Sequence, residues 1–260
     1  MIQVIGGPVE CELVAGDPTL PTLVFLHEGL GSIDLWRGVP DEVAASSGGA
    51  PVLTYARHGH GASGPAQMPR PVTYMHHEAD VVLPAVLAAF GIERPILVGH
   101  SDGASIALLY AGAGHQVEGL VCLAPHVFVE PESVAGIEQA RVVFESTDIA
   151  ERMSRYHRDP VATFRGWNDV WLSDEFRTWN IEDRLPRITA SILAIQGLDD
   201  QYGTIAQLDA IAAGVFGRFE RRVLDGVGHS PHTEARTEVV AAIAEFVSQL
   251  IRSSGEIFPA

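Results

Sequence analysis

The stretch Gly99-His100-Ser101-Asp102-Gly103 has G-x-S-x-G spacing and offers a hydroxyl that could attack a carbonyl carbon. A serine hydroxyl is a weak nucleophile near neutral pH. It needs a base within hydrogen-bond reach, and that base needs an orienting partner. Further along the chain, Gly197-Leu198-Asp199-Asp200 supplies carboxylates and Asp225-Gly226-Val227-Gly228-His229-Ser230 supplies an imidazole. Either Asp199 or Asp200 could orient the histidine, and His232 is the reserve base. The tetrahedral intermediate of acyl transfer also needs backbone N–H donors. Glycines in the turn His27-Glu28-Gly29-Leu30-Gly31-Ser32 let its backbone face a pocket, and the N–H of Asp102 would be a second donor. Together these groups could transfer an acyl group through Ser101.

Groups so far apart in sequence meet only if strand ends bring them together. Candidate strands run over 22–26, 52–55, 95–98, 119–124, 191–196 and Phe219–Leu224. Most are short, rich in Val, Ile and Leu, and bounded by Gly, Pro or Asp. Apolar strands alternating with helices predict a parallel sheet covered on both faces. Ser101 falls between the strand PILV and the helical run ASIALLYA, the context that gives the short motif weight. Asp199, Asp200 and His229 fall just past strand ends, at the edge where Ser101 should sit.

A C-terminal helix is predicted where Val239, Val240, Ile243, Phe246, Val247 and Leu250 recur at helical spacing. Another, over 75–90, contains Pro84, which predicts a kink or a break. Between 127 and 186 strand-like runs give way to helical periodicity, and three of the four tryptophans, Trp167, Trp171 and Trp179, lie there. The expected organisation is a core of 1–126 and 187–260 with a helical cap insertion of 127–186. Ligands in open α/β sheets bind at the C-terminal edge, so a cover there encloses a pocket. Trp167 and Trp171 are therefore candidate substrate contacts, with Glu28, His100 and His126 near the elbow.

Composition limits the partners. The chain has 260 residues and a formal net charge of −16, which repels phosphate backbones and anionic membrane surfaces. It shows no apolar run long enough for a membrane span and no basic segment leading into an apolar one. A cytoplasmic protein acting on a small molecule, without nucleic acid or membrane partners, is expected. Of the two cysteines, Cys11 and Cys122, the second sits in the apolar run GLVCLAP and reads as core. Eleven histidines include the pairs His58/His60, His76/His77 and His229/His232, but no third ligand stands at zinc-like spacing. The glycine-rich ARHGHGASG lacks the Lys-Ser or Lys-Thr of a phosphate loop. No metal and no cofactor are expected.

The motifs HEGLGS (27–32), ARHGHGASG (56–64), GHSDG (99–103), GLDDQYG (197–203) and GVGHSPH (226–232) resemble, in this order, the α/β-hydrolase superfamily over nearly the whole chain. The resemblance implies the α/β-hydrolase fold, a mostly parallel central sheet flanked by helices with a helical cap. It implies a triad of Ser101, Asp200 and His229. It selects Asp200 over Asp199, because the family's acid lies three residues after the strand-end glycine. The implied oxyanion donors are Gly29 and Asp102. Two positions depart from the pattern: Glu28 stands where a glycine is common, and Ala56 where an aspartate is.

The Ser-Asp-Gly elbow and Trp-rich insertion also resemble the branch containing amino-acid-ester prodrug hydrolases. There the Asp after the nucleophile is linked to recognition of a substrate ammonium. Without that resemblance, Asp102 is expected to cap the elbow helix or face solvent. Serine rather than aspartate at the elbow disfavours dehalogenase and epoxide-hydrolase chemistry. The leading expectation is a serine hydrolase that cleaves a small carboxylic ester or lactone through an acyl-enzyme on Ser101. The alternatives are a C–C bond hydrolase of diketone-like ring-cleavage products, and a non-catalytic ligand receptor on the same scaffold.

Overall fold

A computed structural model describes residues 1–256; residues 257–260 of the expected core lie outside the described residues. The chain opens with β1 (Ile2–Val4) and β2 (Gly7–Val14), an antiparallel pair. Next come β3 (Leu23–Leu26), β4 (Val52–Ala56), β5 (Ile96–His100), β6 (Gly119–Leu123), β7 (Ser191–Gly197) and β8 (Phe219–Leu224). They form one eight-stranded sheet in the order β1-β2-β4-β3-β5-β6-β7-β8. β2 pairs antiparallel with β4, and every pairing from β4 through to β8 is parallel. All residues of β3, β4, β5 and β6 are buried. Such strands can be apolar throughout because helices cover both faces.

The helices are α1 (Val39–Ser46), α2 (Tyr74–His77), α3 (Leu83–Ala89), α4 (Asp102–Gly112), α5 (Pro131–Ser146), α6 (Ile149–Met153), α7 (Pro160–Trp171), α8 (Ala206–Gly214), α9 (Pro231–Glu234) and α10 (Arg236–Glu256). Side chains alternate across a strand, so β3 sends Leu23 and Phe25 into one apolar layer and Val24 and Leu26 into the other. The first layer includes Val39 and Val43 of α1 and Val239, Ile243 and Phe246 of α10. The second includes Leu83 and Val86 of α3 and the buried α4.

Pro84 does not break its helix. A π-helical turn, Glu78–Val82, joins α2 to α3, and the Leu83 N–H reaches the Glu78 carbonyl. Proline has no N–H to donate and its ring crowds the carbonyl four residues back. The wider turn just upstream relieves that crowding, and the chain continues as helix.

Between β6 and β7 the chain forms α5, α6 and α7, followed by 3₁₀ turns at Phe176–Thr178 and Glu182–Arg187. Asp159 caps α7 by accepting from the Ala162 N–H at 2.9 Å, and Pro160 follows it in the first turn. The segment is held by aromatic packing, with the Phe144 and Phe164 rings 3.8 Å apart and parallel. It reaches the sheet edge through Thr163, whose hydroxyl donates to the Gly59 carbonyl at 2.6 Å.

The chain turns from β5 into α4 at Ser101, which has φ 52° and ψ −118°. A Cβ on Gly103 would overlap the carbonyls of Leu26 and His27, and one on Gly99 would overlap the Gly103 backbone. The two glycines therefore let α4 rest directly on the ends of β3 and β5. Gly103→Ala is expected to lower unfolding stability by about 2 kcal/mol, the usual cost of overpacking a rigid site. Urea unfolding measures this, and a midpoint equal to wild type would contradict the close approach.

Candidate active site

Ser101 sits at the C-terminal end of β5, 5% exposed, in a backbone conformation that few non-glycine residues adopt. Its N–H donates to the Leu123 carbonyl at 2.9 Å, and its own carbonyl accepts from Ala104 at 2.9 Å. These bonds fix the strained turn from both sides. Asp102 opens α4, and the first N–H groups of a helix have no partner within it.

β7 and β8 end beside each other, and the loops that follow them pack closely. A Cβ on Gly197 would overlap the carbonyls of Val227 and Gly228. The Asp199 N–H donates to the Val227 carbonyl at 2.9 Å, leaving the Asp199 side chain exposed. Asp200 turns inward, and His229 Nδ1 lies 2.9 and 2.8 Å from its two carboxylate oxygens. A carboxylate only accepts, so Nδ1 carries the proton and Nε2 keeps its lone pair. The Gln196 amide at 2.6 Å and the Tyr202 N–H at 2.8 Å also donate to Asp200. Burial raises the Asp200 carboxyl, but the His229 and Tyr202 hydrogen bonds and the His229 charge outweigh it and hold the group below its ordinary value. His232, the reserve base, instead packs its ring against His100 and Trp36.

The turn after β3 is held by its carbonyls. His27 Nε2 accepts the Arg57 N–H at 3.0 Å, so its Nδ1–H donates to the Glu28 carbonyl at 2.7 Å. Arg57 donates through one guanidinium nitrogen to the His27 carbonyl and through the other to the Glu28 carbonyl at 2.9 Å. His60 Nε2 lies 3.0 Å from the Gly29 carbonyl. In a trans peptide the N–H points away from the C=O. Pinning the Glu28 carbonyl to these buried donors therefore turns the Gly29 N–H the other way. Burial holds His27 and His60 well below the usual imidazole value, reinforced by the Arg57 charge at both and by Arg70 at His60.

A cavity of about 270 Å³ brings most of the expected residues together. Glu28, Gly29, His100, Ser101, His126, Trp167, Trp171 and His229 all line it, and Asp200 stands behind His229. Among the described residues no hydrogen bond joins the Ser101 hydroxyl to His229. In substrate-free sites such contacts are often long and tighten on binding. Trp167 lies so close to Gly29 that a Cβ there would overlap its indole. His100 Nε2–H donates to the His229 carbonyl at 2.7 Å, and its Nδ1 is 3.6 Å from the Glu28 carboxylate. Burial raises Glu28, yet the imidazoles of His100 and His232 bring it down to about 2. A larger cavity of about 490 Å³, beside Arg70 and Glu78, contains neither Ser101 nor His229.

The Asp102 side chain meets neither expectation. It is 1% exposed, so it does not face solvent, and it caps no helix. It accepts from the Tyr74 hydroxyl at 2.6 Å and lies 3.7 Å from the Arg57 guanidinium. Trp171 Nε1–H donates to the same Tyr74 oxygen at 3.0 Å. Held behind the elbow, this carboxylate does not line the cavity where a substrate ammonium would bind. Reasoning from sequence also missed Gln196, Tyr202 and Tyr74. Tyr202 and Arg57 lay within motifs singled out there, GLDDQYG and ARHGHGASG, but with no role assigned.

Residues 23–243 match the model of the alpha/beta hydrolase family. The chain belongs to this family. No curated protein gives a sequence match. Among solved structures it is similar to a carboxylesterase of the thaumarchaeon Nitrososphaera gargenis, with TM-score 0.79, 18% identity, and coverage of 97% of this chain and 99% of that one. An esterase from Exiguobacterium antarcticum gives TM-score 0.74 at 18% identity over 95% and 98% of the two chains. The enol-lactonase of Burkholderia xenovorans gives 0.70 at 18% over 94% and 98%. At such identities the likeness shows the fold.

The histidines of this alpha/beta hydrolase make its stability depend on pH. Burial first, then the charge of His229, takes His126 from 6.5 down to about 3, against the opposing charge of Asp200. Burial and His100 take His232 down to about 3 as well, against Glu28. In both cases the unfolded chain binds the proton more tightly. The stabilisation is complete above pH 6.5 and is lost as pH falls from there toward 3. The expected loss is about 1.4 kcal/mol per pH unit for each imidazole, read from urea unfolding at a series of pH values. A flat profile between pH 7 and 4 would contradict it.

Proposed function

We propose that this chain is a serine hydrolase cleaving a small carboxylic ester or lactone, with Ser101, His229 and Asp200 as its triad. One observation carries the reading: a serine in a strained strand-to-helix turn shares its cavity with a histidine whose Nδ1–H is held by a buried carboxylate. The Ser101 oxygen attacks the acyl carbon while His229 Nε2 takes its proton. The Gly29 and Asp102 amides receive the oxyanion. His229 then gives the proton to the leaving alkoxide, leaving an acyl-enzyme on Ser101. A water deprotonated by His229 attacks the acyl-enzyme carbonyl, and His229 returns the proton to the Ser101 oxygen as the acid leaves. Esterases and an enol-lactonase among the similar structures support this class.

We assign 127–186 the role of cap, because it supplies Trp167, Trp171 and Ile137 to the cavity wall. A volume of about 270 Å³ suits a short acyl group. Glu28 is the one acidic side chain of the lining, and no Lys or Arg accompanies it, which favours neutral over anionic substrates. Net charge of −16 acts in the same direction. Among the described residues no helix is long and apolar enough to cross a membrane. A cytoplasmic enzyme acting on a small molecule fits these properties.

Ser101→Ala is expected to lower turnover of p-nitrophenyl acetate by roughly 10⁴-fold or more, keep the wild-type thermal midpoint, and abolish labelling by a fluorophosphonate. Undiminished turnover in that variant rejects the triad. Absence of fluorophosphonate labelling in the wild type would point to a receptor. Turnover of a vinylogous diketone in preference to esters would point to C–C cleavage. Glu28→Gln is expected to raise kcat/KM for a succinate half-ester relative to a neutral butyrate ester by about fivefold, the effect of one nearby charge at an effective dielectric constant of roughly 40. An unchanged ratio would remove Glu28 from the specificity of the site.

A further inference from the structure

His157 lies between α6 and α7, 4% exposed, and is not among the residues lining the Ser101 cavity. We propose that it is a positioning residue that fixes the Gly29 amide from the inserted helices. The inference rests on the serine-hydrolase reading, in which that amide receives the oxyanion. His157 Nδ1 accepts the Gly61 N–H at 3.1 Å, and its Nε2 lies 2.9 Å from the Leu30 carbonyl. A ring nitrogen that accepts has no proton, so the proton sits on Nε2 and is donated to Leu30. Burial pulls this imidazole below its usual value, which favours that neutral tautomer.

The Leu30 carbonyl shares its peptide unit with the Gly31 N–H, which donates to the Glu28 carbonyl at 3.1 Å. The Glu28 carbonyl shares its peptide unit with the Gly29 N–H. Because C=O and N–H point opposite ways in each planar unit, the bonds run head to tail from the His157 ring to the Gly29 amide. Each bond in such a chain polarises the next. Arg57 and His27 hold the Glu28 carbonyl from the core side, and His157 anchors the far end of the turn. The segment that carries Trp167 over Gly29 therefore also aims the Gly29 amide. An oxyanion amide aimed this way stabilises the transition state more than the bound ester.

The test uses the full chain with His157→Leu, His157→Asn and His157→Gln. Leucine removes both polar partners, asparagine is too short to reach Leu30, and glutamine can donate and accept as the imidazole does. His157→Leu and His157→Asn are expected to lower kcat on p-nitrophenyl acetate about tenfold with KM nearly unchanged, a partial loss of one oxyanion donor. Inhibition by butylboronic acid, which forms a tetrahedral adduct on Ser101, should weaken by the same factor. His157→Gln should recover most of both. Amide hydrogen exchange of residues 28–31 should quicken in the two deficient variants, a readout that needs no turnover. Unchanged kcat, boronate affinity and exchange would overturn the proposal. A kcat loss that tracks a fallen thermal midpoint, without rescue by glutamine, would also overturn it and leave a structural role. If the wild type neither hydrolyses esters nor labels with fluorophosphonate, the serine-hydrolase reading fails, while exchange still decides whether His157 holds the turn.

Discussion

The site depends on one steric constraint, the contact of α4 with the ends of β3 and β5. Gly103 lets the helix start against the Leu26 and His27 carbonyls, and Gly99 lets the strand pass beneath it. No room remains for a relaxed connection, so Ser101 is forced to φ 52°. Such a conformation costs of order 1–3 kcal/mol and persists only when the surroundings over-determine it. Here the surroundings are a helix buried along its whole length and a strand buried on both faces. The same contact brings the Asp102 amide beside the turn that carries Gly29.

Around that contact, polar groups are fixed before any substrate arrives. Arg57 links the two halves of the site: its guanidinium holds the carbonyls of His27 and Glu28 and lies beside the Asp102 carboxylate. Asp200 is held by a side-chain amide, a backbone amide and an imidazole. Donors held in this way in a water-poor site need little rearrangement when charge develops, the main source of electrostatic rate enhancement. Histidine supplies much of the holding. A neutral imidazole donates at one nitrogen and accepts at the other, so it joins two backbone segments in a fixed sense. His27 and His157 are both used that way.

Much of this was legible in the sequence because central strands announce themselves. β3 and β6 are apolar throughout and β5 and β7 carry the apolar runs ILV and ILAI, as strands covered on both faces do. The elbow was legible because its glycines and serine are adjacent in the chain. β1 and β2 were not anticipated: β1 is an edge strand and β2 its partly exposed neighbour, and the residues of β2 mix polar and apolar types. Contacts across long sequence separations left no local pattern. Gln196 reads as one more strand residue until its amide is found on Asp200. His157 lies 127 residues from the carbonyl it holds. The Asp102 carboxylate was misjudged because its partners, Tyr74 and Arg57, arrive from other elements.

The parallel pairing of β5 through β8 bears on how the molecule is assembled. Ser101, Asp200 and His229 each follow a different strand, and β8, which precedes His229, is the outermost of the three. No contiguous fragment shorter than the span from the β3 turn to His229 contains the whole constellation. Parallel neighbours require long crossovers, and sheets built from such distant pairings close slowly. Any partly folded chain in which β8 has not docked lacks the His229 imidazole in the cavity that Ser101 lines. Under the proposed reading, a nascent chain emerging from the ribosome gains its chemistry only when its last strand is in place.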